Sequence, residues 1–464
     1  MEVELGWLWM VLITSVGVYI VVFGIVRNIN QWVYVERVKH KLAYPLPPGH
    51  MGWPLLGNFL SLLTAFKSSN PESFINNLIS RYGESGIYKS HMFGSPSVMV
   101  CKAELCRKVL TDDQQFKIGY PQALWKLVGN RTFNSDSVAH HKRIRRLTTS
   151  PIVGHASLAL YVQGIEDIMV NALEEWASMS TRGPLQLLNE LKHLTFKVIV
   201  HVLMGSHNNL SISQIADFYN HVLHGLFAFP INFPGFAYHK ALKARRKLLR
   251  IIQCVVKERR MMKKTTDEKE GNKDLLAILL EGQDENGQKL EDEEIVDLLV
   301  GFLFAGHETS AHAMMWSIIY LTNHPHIMDK AKKEQEEILK RRQQDQKGLN
   351  LHEIKQMVFL AKVVNETLRQ ANITFSIFRE AKVDVNINGY SIPKGWKVIV
   401  WLRALHFDPE YYTDPQQFNP SRWDVSVKPG SYLPFGVGMR LCPGLDLVTL
   451  EMSIFLHYFL LHYK

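Results

Sequence analysis

The residue of this chain best suited to chemistry is a cysteine in the stretch LPFGVGMRLCPGLDL, residues 433–447. Cys442 lies between Gly438 and Gly444, follows Arg440 and precedes a predicted helix. Glycines let backbone amides approach a sulfur atom, and a nearby arginine favours the thiolate. A nucleophilic cysteine needs a base, which the loop does not supply, whereas a thiolate that binds iron needs none. The pattern therefore favours iron ligation over a nucleophile or a buried structural cysteine.

A second candidate stretch, AGHETS at residues 305–310, lies in the middle of a long apolar segment that begins near Glu291. Acidic residues at its start suit a helix N-terminus, and its length predicts a helix that crosses the core. Small and polar residues are costly inside a buried helix. Two interpretations stay open: a kink where Thr309 bonds to its own backbone, or a groove where Glu308 and Thr309 move protons beside Gly306.

Length and composition favour one large domain behind an N-terminal appendage. The 464 residues are 46% hydrophobic, without a long low-complexity linker or an internal repeat. Four cysteines without a CxxC pair argue against a disulfide scaffold and a paired-ligand zinc site. The net charge of +9 fits an anionic membrane or an acidic protein partner, and no nucleic-acid-binding motif accompanies it.

The N-terminus predicts a membrane anchor. Residues 5–26 carry no charge and are numerous enough to cross a bilayer as a helix. The acidic Glu2 and Glu4 and the lack of a small-residue cleavage site argue against a signal peptide. Basic residues that follow place the rest of the chain in the cytosol. We expect an anchor at 1–27, a basic and proline-rich hinge at 28–58 and a catalytic domain at 59–464.

The catalytic domain is predicted to be mainly α-helical with small β-sheets. Residues 86–101 alternate and turn like a hairpin, and residues 383–401 do so around Asn388-Gly389. Amphipathic segments at 291–322 and 325–342 predict two long helices. These elements must position the cysteine loop and the polar stretch in the long helix.

Three motifs together resemble the cytochrome P-450 family of haem-thiolate monooxygenases. FGVGMRLCPG, residues 435–444, is similar to the family's haem-binding loop, and AGHETS is similar to its oxygen-activation groove. Glu366 and Arg369 match the Glu-x-x-Arg helix, and Arg422 matches the arginine that completes a Glu-Arg-Arg network. We expect that network to be buried and mostly structural. The resemblance covers nearly the whole chain and implies the cytochrome P-450 fold with an N-terminal transmembrane helix.

The resemblance implies haem b as cofactor and dioxygen as co-substrate, with one oxygen atom inserted into a C–H bond. Cys442 would be the axial ligand of the haem iron, Glu308 and Thr309 would relay protons, and Gly306 would leave room for dioxygen. His141 stands where the family commonly has a tryptophan, and a histidine can still donate a hydrogen bond. The other residues implied to bind the cofactor are Phe435, Gly438, Arg440, Arg145, Arg379 and His141.

The resemblance also implies a redox partner and a location. Electrons would come from NADPH through a flavoprotein, the NADPH–cytochrome reductase, on the same membrane. Its acidic surface would suit the basic stretch HKRIRR at residues 141–146. The chain would be a single-pass protein of the endoplasmic reticulum membrane with its catalytic domain in the cytosol.

Several stretches resemble a plant group that contains ent-kaurenoic acid oxidases and beta-amyrin 11-oxidases. TSPIVGH, VIVHVLMGS and ANITFSIFREA are nearer to the triterpene branch, whereas PGFAYHKALKAR and FLSLLTAFKSSNPESF resemble the gibberellin branch equally well. The apolar stretch at residues 225–238 suits a lipophilic entry at the membrane. We expect a lipophilic terpenoid substrate of the beta-amyrin type, with ent-kaurenoic acid as the alternative.

Two other functional classes remain to be tested. A haem-thiolate isomerase or dehydratase often lacks the acid–alcohol pair, which is intact here as Glu308 and Thr309. The chain stops soon after the helix that follows the cysteine loop, where family members usually continue into a hairpin that lines the substrate pocket. A truncated or alternatively spliced form that binds haem without turnover is therefore the third expectation.

Overall fold

The computed structural model describes residues 2–129, 137–205, 212–226, 228–265 and 274–463. The chain divides into two compact units, which are treated separately below. The first comprises Met1–Tyr120, Thr374–Thr413 and Lys428–Arg440, and the second comprises Pro121–Ile373, Asp414–Val427 and Leu441–Lys464.

The helices and strands of the described residues are numbered in chain order. The helices are α1 (Glu2–Gln31), α2 (Phe59–Lys67), α3 (Glu72–Tyr82), α4 (Ala103–Thr111), α5 (Gln122–Val128), α6 (Val138–Val153), α7 (His155–Ser180), α8 (Leu187–Met204), α9 (Ile212–Leu226), α10 (Ala237–Thr265), α11 (Leu275–Glu281), α12 (Asp292–Asn323), α13 (Pro325–Arg341), α14 (Leu351–Gln356), α15 (Val358–Ala371), α16 (Leu402–His406) and α17 (Leu445–His462). The strands are β1 (Ile87–Met92), β2 (Ser95–Val100), β3 (Phe116–Ile118), β4 (Ser376–Ala381), β5 (Val385–Ile387), β6 (Tyr390–Ile392) and β7 (Lys397–Trp401).

The first unit is built around a five-stranded sheet in the order β1-β2-β7-β4-β3. Strands β2 and β7 are parallel, and the other neighbours are antiparallel. Both predicted hairpins are confirmed, since β1 pairs with β2 and β5 pairs with β6. The turn residues Phe93, Gly94, Asn388 and Gly389 all have positive φ, as tight hairpin turns between twisted strands require.

Helix α12 lies in the core of the second unit, as the sequence predicts for this segment. A capping box between Glu291 and Glu294 begins the helix and satisfies its first amides. The ten residues from Ile295 to Phe304 are all buried, so the helix packs on every side there. Helices α8 and α17 both pack against it. The predicted mainly helical fold with small sheets is thus confirmed.

Among the described residues, two helical segments are long and apolar enough to cross a membrane by length and composition, one near the N-terminus and α17. The most apolar window of α17 is 56% buried, whereas that of the N-terminal segment is 0% buried. Helix α17 is therefore a core helix. The predicted anchor corresponds to α1, where Trp7, Ile13, Val18 and Ile25 are exposed.

Candidate functional site

In the second unit, Cys442 lies just before α17, whose N-terminal cap is Gly444. Burial raises the pKa of the Cys442 thiol, but a hydrogen bond from the Gly444 amide and the charge of Arg145 act in the opposite direction. The positive end of the α17 dipole also favours an anion at this position. In the first unit, burial raises the pKa of Cys101 to about 12. Burial therefore disfavours the Cys442 thiolate, whereas the Gly444 amide, Arg145 and the helix dipole favour it.

Helix α6 carries the two propionate candidates of the second unit. His141 and Arg145 lie one turn apart, and both are half-buried. Arg145 Nη1 donates a hydrogen bond of 2.6 Å to the carbonyl oxygen of Leu441. Arg145 thereby ties α6 to the residue that precedes Cys442, which fixes the cysteine loop from one side.

In the first unit, the segment that leads to Arg440 depends on two glycines. Gly436 and Gly438 have φ values of 74° and 81°, a region that side chains disfavour. A Cβ on Gly438 would also lie 3.2 Å from the carbonyl oxygen of Leu110. Phe435 is half-buried in the same segment. Glycine at 438 is therefore favoured by the backbone turn, and a side chain there would also crowd the Leu110 carbonyl.

Arg440 and Arg379 share one carboxylate that sequence reasoning missed. Arg440 Nε donates to Asp113 Oδ1 at 2.9 Å, and Arg379 Nη1 lies 3.9 Å from the same oxygen. Arg379 Nη2 also donates to the carbonyl oxygen of Leu110 at 3.0 Å. Arg440 Nη1, Arg379 Nε and Asp113 Oδ2 are buried and have no hydrogen-bond partner among the described residues. This cluster therefore retains unused donors.

In the second unit, the polar stretch of α12 contains the hydrogen bond of the first interpretation and an exposed strip that bears on the second, which stays a prediction. Thr309 Oγ1 donates a 2.6 Å hydrogen bond to the Ala305 carbonyl oxygen, as a purely structural role would predict. Glu308 Oε2 lies 2.9 Å from Lys192 Nζ of α8, an ion pair that the sequence did not suggest. Ala305 and Thr309, one turn apart, are exposed on a helix that is otherwise mostly buried. This exposed strip is where a ligand can approach α12.

Gly306 has a packing role of its own. A Cβ on Gly306 would lie 2.7 Å from Ile199 Cδ1 of α8, so glycine lets the two helices approach closely. The next residue, His307, is buried against the rings of Phe196 and Tyr219 at centroid distances of 5.3 and 4.9 Å. Burial lowers the pKa of His307 to about 4, so its ring is neutral near pH 7. The room for dioxygen implied for Gly306 stays a prediction.

Glu366 is the centre of a closed network in the second unit. It is fully buried and accepts hydrogen bonds from Arg369 Nε and Nη2 at 3.0 and 2.8 Å and from Arg422 Nε at 2.9 Å. The Asn419 amide and Trp423 Nε1 donate to it at 3.0 Å each. The geometry agrees with the expected Glu-Arg-Arg network, and the two additional donors lie close to Arg422 in the sequence.

The basic stretch at residues 141–146 is partly neutralised within the second unit. Arg143 pairs with Asp284 at 2.7 Å and with Glu294 at 3.4 Å. Arg146 pairs with Glu285. Lys142 is exposed. The surface therefore carries less free positive charge than the sequence alone indicates.

A family model and several known proteins match most of this chain. The cytochrome P-450 family model matches residues 47–464. The chain is 55% identical to beta-amyrin 11-oxidase of Glycyrrhiza uralensis, over 99% of this chain and 93% of that one. It is 48% identical to ent-kaurenoic acid oxidase 2 of Arabidopsis thaliana, over 95% and 89%. Among solved structures, it is similar to retinoic acid-bound cyanobacterial CYP120A1, with a TM-score of 0.77, 27% identity and coverage of 90% and 92%.

Proposed function

The chain belongs to the cytochrome P-450 family of haem-dependent monooxygenases, and from that premise we propose that it oxidises a triterpene of the beta-amyrin type. One oxygen atom of dioxygen enters a C–H bond of the substrate, and the other leaves as water. The observation that carries the substrate class is the 55% identity to beta-amyrin 11-oxidase over nearly the whole length of both chains. Identity to the ent-kaurenoic acid oxidase of Arabidopsis thaliana named above is lower, at 48%.

The donor groups of the chain fit haem, which supplies dioxygen activation when bound. In the second unit, Cys442 has neighbours that favour its thiolate, and Ala305 and Thr309 form an exposed strip on α12. In the first unit, Arg379 and Arg440 each keep a buried N–H donor without a partner among the described residues. Such donors suit the propionate carboxylates. The further residues that we propose to contact haem are Arg145, His141, Phe435 and Gly438.

We propose that Glu308 and Thr309 supply protons, and their contacts support this role. Glu308 Oε1 is buried without a hydrogen-bond partner among the described residues, while Oε2 is held by Lys192. Lys192 therefore holds one oxygen of Glu308, and the other can accept a hydrogen bond from a donor that reaches it. The Thr309 hydroxyl can donate elsewhere once it leaves the Ala305 carbonyl, at a cost of ~1 kcal/mol.

We also propose a redox partner and a membrane location for the chain. Electrons come from NADPH through a membrane-bound flavoprotein reductase, and Lys142 is an exposed cation on the stretch proposed to meet it. Residues 1–27 anchor the chain in the endoplasmic reticulum membrane, 28–58 form the hinge, and 59–464 form the cytosolic catalytic domain. The exposed side chains of Phe229, Ile231, Phe233 and Phe236 support a lipophilic entry near the bilayer.

The test is turnover by the full chain in microsomes with a reductase and NADPH. We expect a thiolate-type Soret band in the carbon monoxide difference spectrum of the reduced protein, and oxidised beta-amyrin by mass spectrometry. Cys442→Ala is the control and should abolish that band. Oxidation of ent-kaurenoic acid instead of beta-amyrin would select the gibberellin branch. A normal band without turnover of either terpenoid would identify a haem-binding, non-catalytic form.

A further inference from the structure

Two buried arginines of the first unit face one carboxylate group, and the arrangement leaves an excess of positive charge. The side chains of Asp113, Arg379 and Arg440 are only 5%, 4% and 7% exposed. A buried cation is unfavourable unless an anion or a set of acceptors compensates it. Asp113 supplies one negative charge to two guanidinium groups. The cluster is therefore suited to a second anion.

The hydrogen bonds show how Asp113 and its neighbours fix both arginines. Asp113 Oδ1 holds Arg440 through Nε, and the Leu110 carbonyl oxygen holds Arg379 through Nη2. Each arginine keeps one buried donor without a partner among the described residues, Nη1 of Arg440 and Nε of Arg379. A guanidinium group held along one edge can present its other donors in a fixed direction.

The backbone around Asp113 is itself held in place. Lys382 Nζ donates to the Asp113 carbonyl oxygen at 2.8 Å, and strand β3 follows directly and pairs with β4, which carries Arg379. The backbone next to Arg379 is equally crowded, because a Cβ on Gly119 would lie 2.1 Å from the Arg379 carbonyl oxygen. Asp113 is therefore a rigid point of attachment rather than a mobile surface acid.

We propose that Asp113 is a positioning residue for the haem propionates, which orients Arg440 and Arg379 and offsets part of their positive charge. The inference deepens the proposed function and rests on haem binding by these two arginines. Two consequences follow. A negative charge near haem disfavours the added electron of the reduced state, so Asp113 lowers the reduction potential. Its hydrogen bond to Arg440 also helps to retain haem.

Two substitutions separate these effects in the full-length holoprotein. Asp113→Asn removes the charge but keeps an oxygen that can accept from Arg440 Nε, whereas Asp113→Ala removes both. Asp112→Asn is the matched control, because the Asp112 side chain accepts from the Gln114 and Gln115 amides at 3.1 and 2.9 Å. Its charge is lost one residue away from the cluster, and its acceptor is kept.

The readouts are the haem reduction potential and the rate of haem transfer to apomyoglobin. We expect a more positive potential in both Asp113 variants than in Asp112→Asn. Haem should leave Asp113→Ala about tenfold faster than Asp113→Asn, since Asp113→Asn keeps an acceptor for Arg440 Nε and only Asp113→Ala loses that hydrogen bond. Circular dichroism checks that Asp113→Asn keeps its native helical content.

Equal potentials in Asp113→Asn and Asp112→Asn would overturn the charge role, and equal haem release from the two Asp113 variants would overturn the orienting role. If Asp113→Ala does not fold, the potential of Asp113→Asn still decides the proposal. Neither readout needs a substrate. If the parent protein gives the thiolate-type carbon monoxide band but the potentials of the variants are unshifted, only this inference is refuted. If the parent protein itself lacks that band, the proposed function is refuted.

Discussion

Two buried clusters of arginine and carboxylate differ in how completely their hydrogen-bonding groups are used. In the second unit, Glu366 accepts from Arg369, Arg422 and two further donors, and both of its oxygens are used. In the first unit, Asp113 uses one oxygen for hydrogen bonding, and Arg379 and Arg440 each keep an unused donor among the described residues.

The difference indicates what each cluster is for. Buried polar groups are nearly always satisfied, because an unused buried donor costs free energy. A cluster that is closed within the protein stabilises the fold. A cluster that stays open in the protein alone can be completed by a bound group, and an anion suits two arginines that share one carboxylate. The spacing of residues in a motif does not distinguish a closed cluster from an open one. The number of buried N–H donors without a hydrogen-bond partner does.

The largest expected effect is on the closed network. Glu366→Gln removes a fully buried charge between Arg369 and Arg422, which leaves two cations under-compensated. We expect the free energy of unfolding to fall by about 3–5 kcal/mol. Urea denaturation of the expressed protein measures it. Glu410→Gln is the control, since its pair with Lys428 is exposed and contributes little to stability. An unfolding midpoint equal to the parent's would refute the structural role.

The two clusters also differ in what the sequence could predict. Glu366 and Arg369 lie three residues apart on one helix, so a local motif identifies them. Asp113 and Arg440 are 327 positions apart, and Asp113 is adjacent to another aspartate with an ordinary turn role. Only the tertiary fold shows which of the two aspartates is buried against arginines.

The same distinction holds for the rest of the fold and the site. The hairpins were predictable because their turns are local, as at Asn388-Gly389. The parallel pairing of β2 with β7 was not predictable, because it joins segments that are far apart in the sequence. The ion pair between Glu308 and Lys192 joins two helices, and no local pattern indicated it. The packing of Gly306 against α8 likewise became evident only from the neighbouring helix.

Two substitutions, one in each cluster, test the distinction between the closed network and the open cluster directly. Arg369→Ala removes an arginine from the closed network, and Arg379→Ala removes one from the open cluster. We expect Arg369→Ala to yield little folded protein, because Glu366 is left buried with an incomplete set of donors. Arg379→Ala should keep native circular dichroism but show a lower ratio of Soret to protein absorbance, since haem loses a donor. Equal loss of helical content in both variants would contradict the distinction.

Thr309→Ala tests the exposed strip of α12 with a smaller expected effect on stability. Among the described residues, the Thr309 hydroxyl makes one hydrogen bond, to the Ala305 carbonyl, so we expect the free energy of unfolding to change by less than ~1 kcal/mol. Haem should stay bound, while more NADPH is consumed for hydrogen peroxide because proton delivery is impaired.

Thr449→Ala is the matched control for that experiment. Thr449 Oγ1 makes the same kind of hydrogen bond on α17, to the Leu445 carbonyl at 2.8 Å. Peroxide released per NADPH should rise in the Thr309 variant and stay at the parent value in the Thr449 variant. If both variants couple NADPH to product as well as the parent does, Thr309 has only the structural role.

Glu451 extends the comparison to a buried carboxyl group whose neighbour is a hydroxyl rather than an arginine. It lies on α17 with a hydrogen bond from Ser310 of α12, and its Oε2 has no partner among the described residues. Burial raises the pKa of Glu451 from 4.5 to about 8, and the Ser310 hydroxyl opposes this only in part. The group is therefore neutral in the folded protein near pH 7.

An effect on stability that changes with pH follows from this pKa. Between pH 4.5 and 8, the folded state keeps the Glu451 proton that the unfolded state releases, so the free energy of unfolding falls as the pH rises. Glu451→Gln removes that dependence, and its stability relative to the parent should increase steadily across the interval. Urea denaturation at several pH values measures the difference, with Glu410→Gln as the exposed control. A difference that is constant across this interval would mean that Glu451 is ionised in the folded protein.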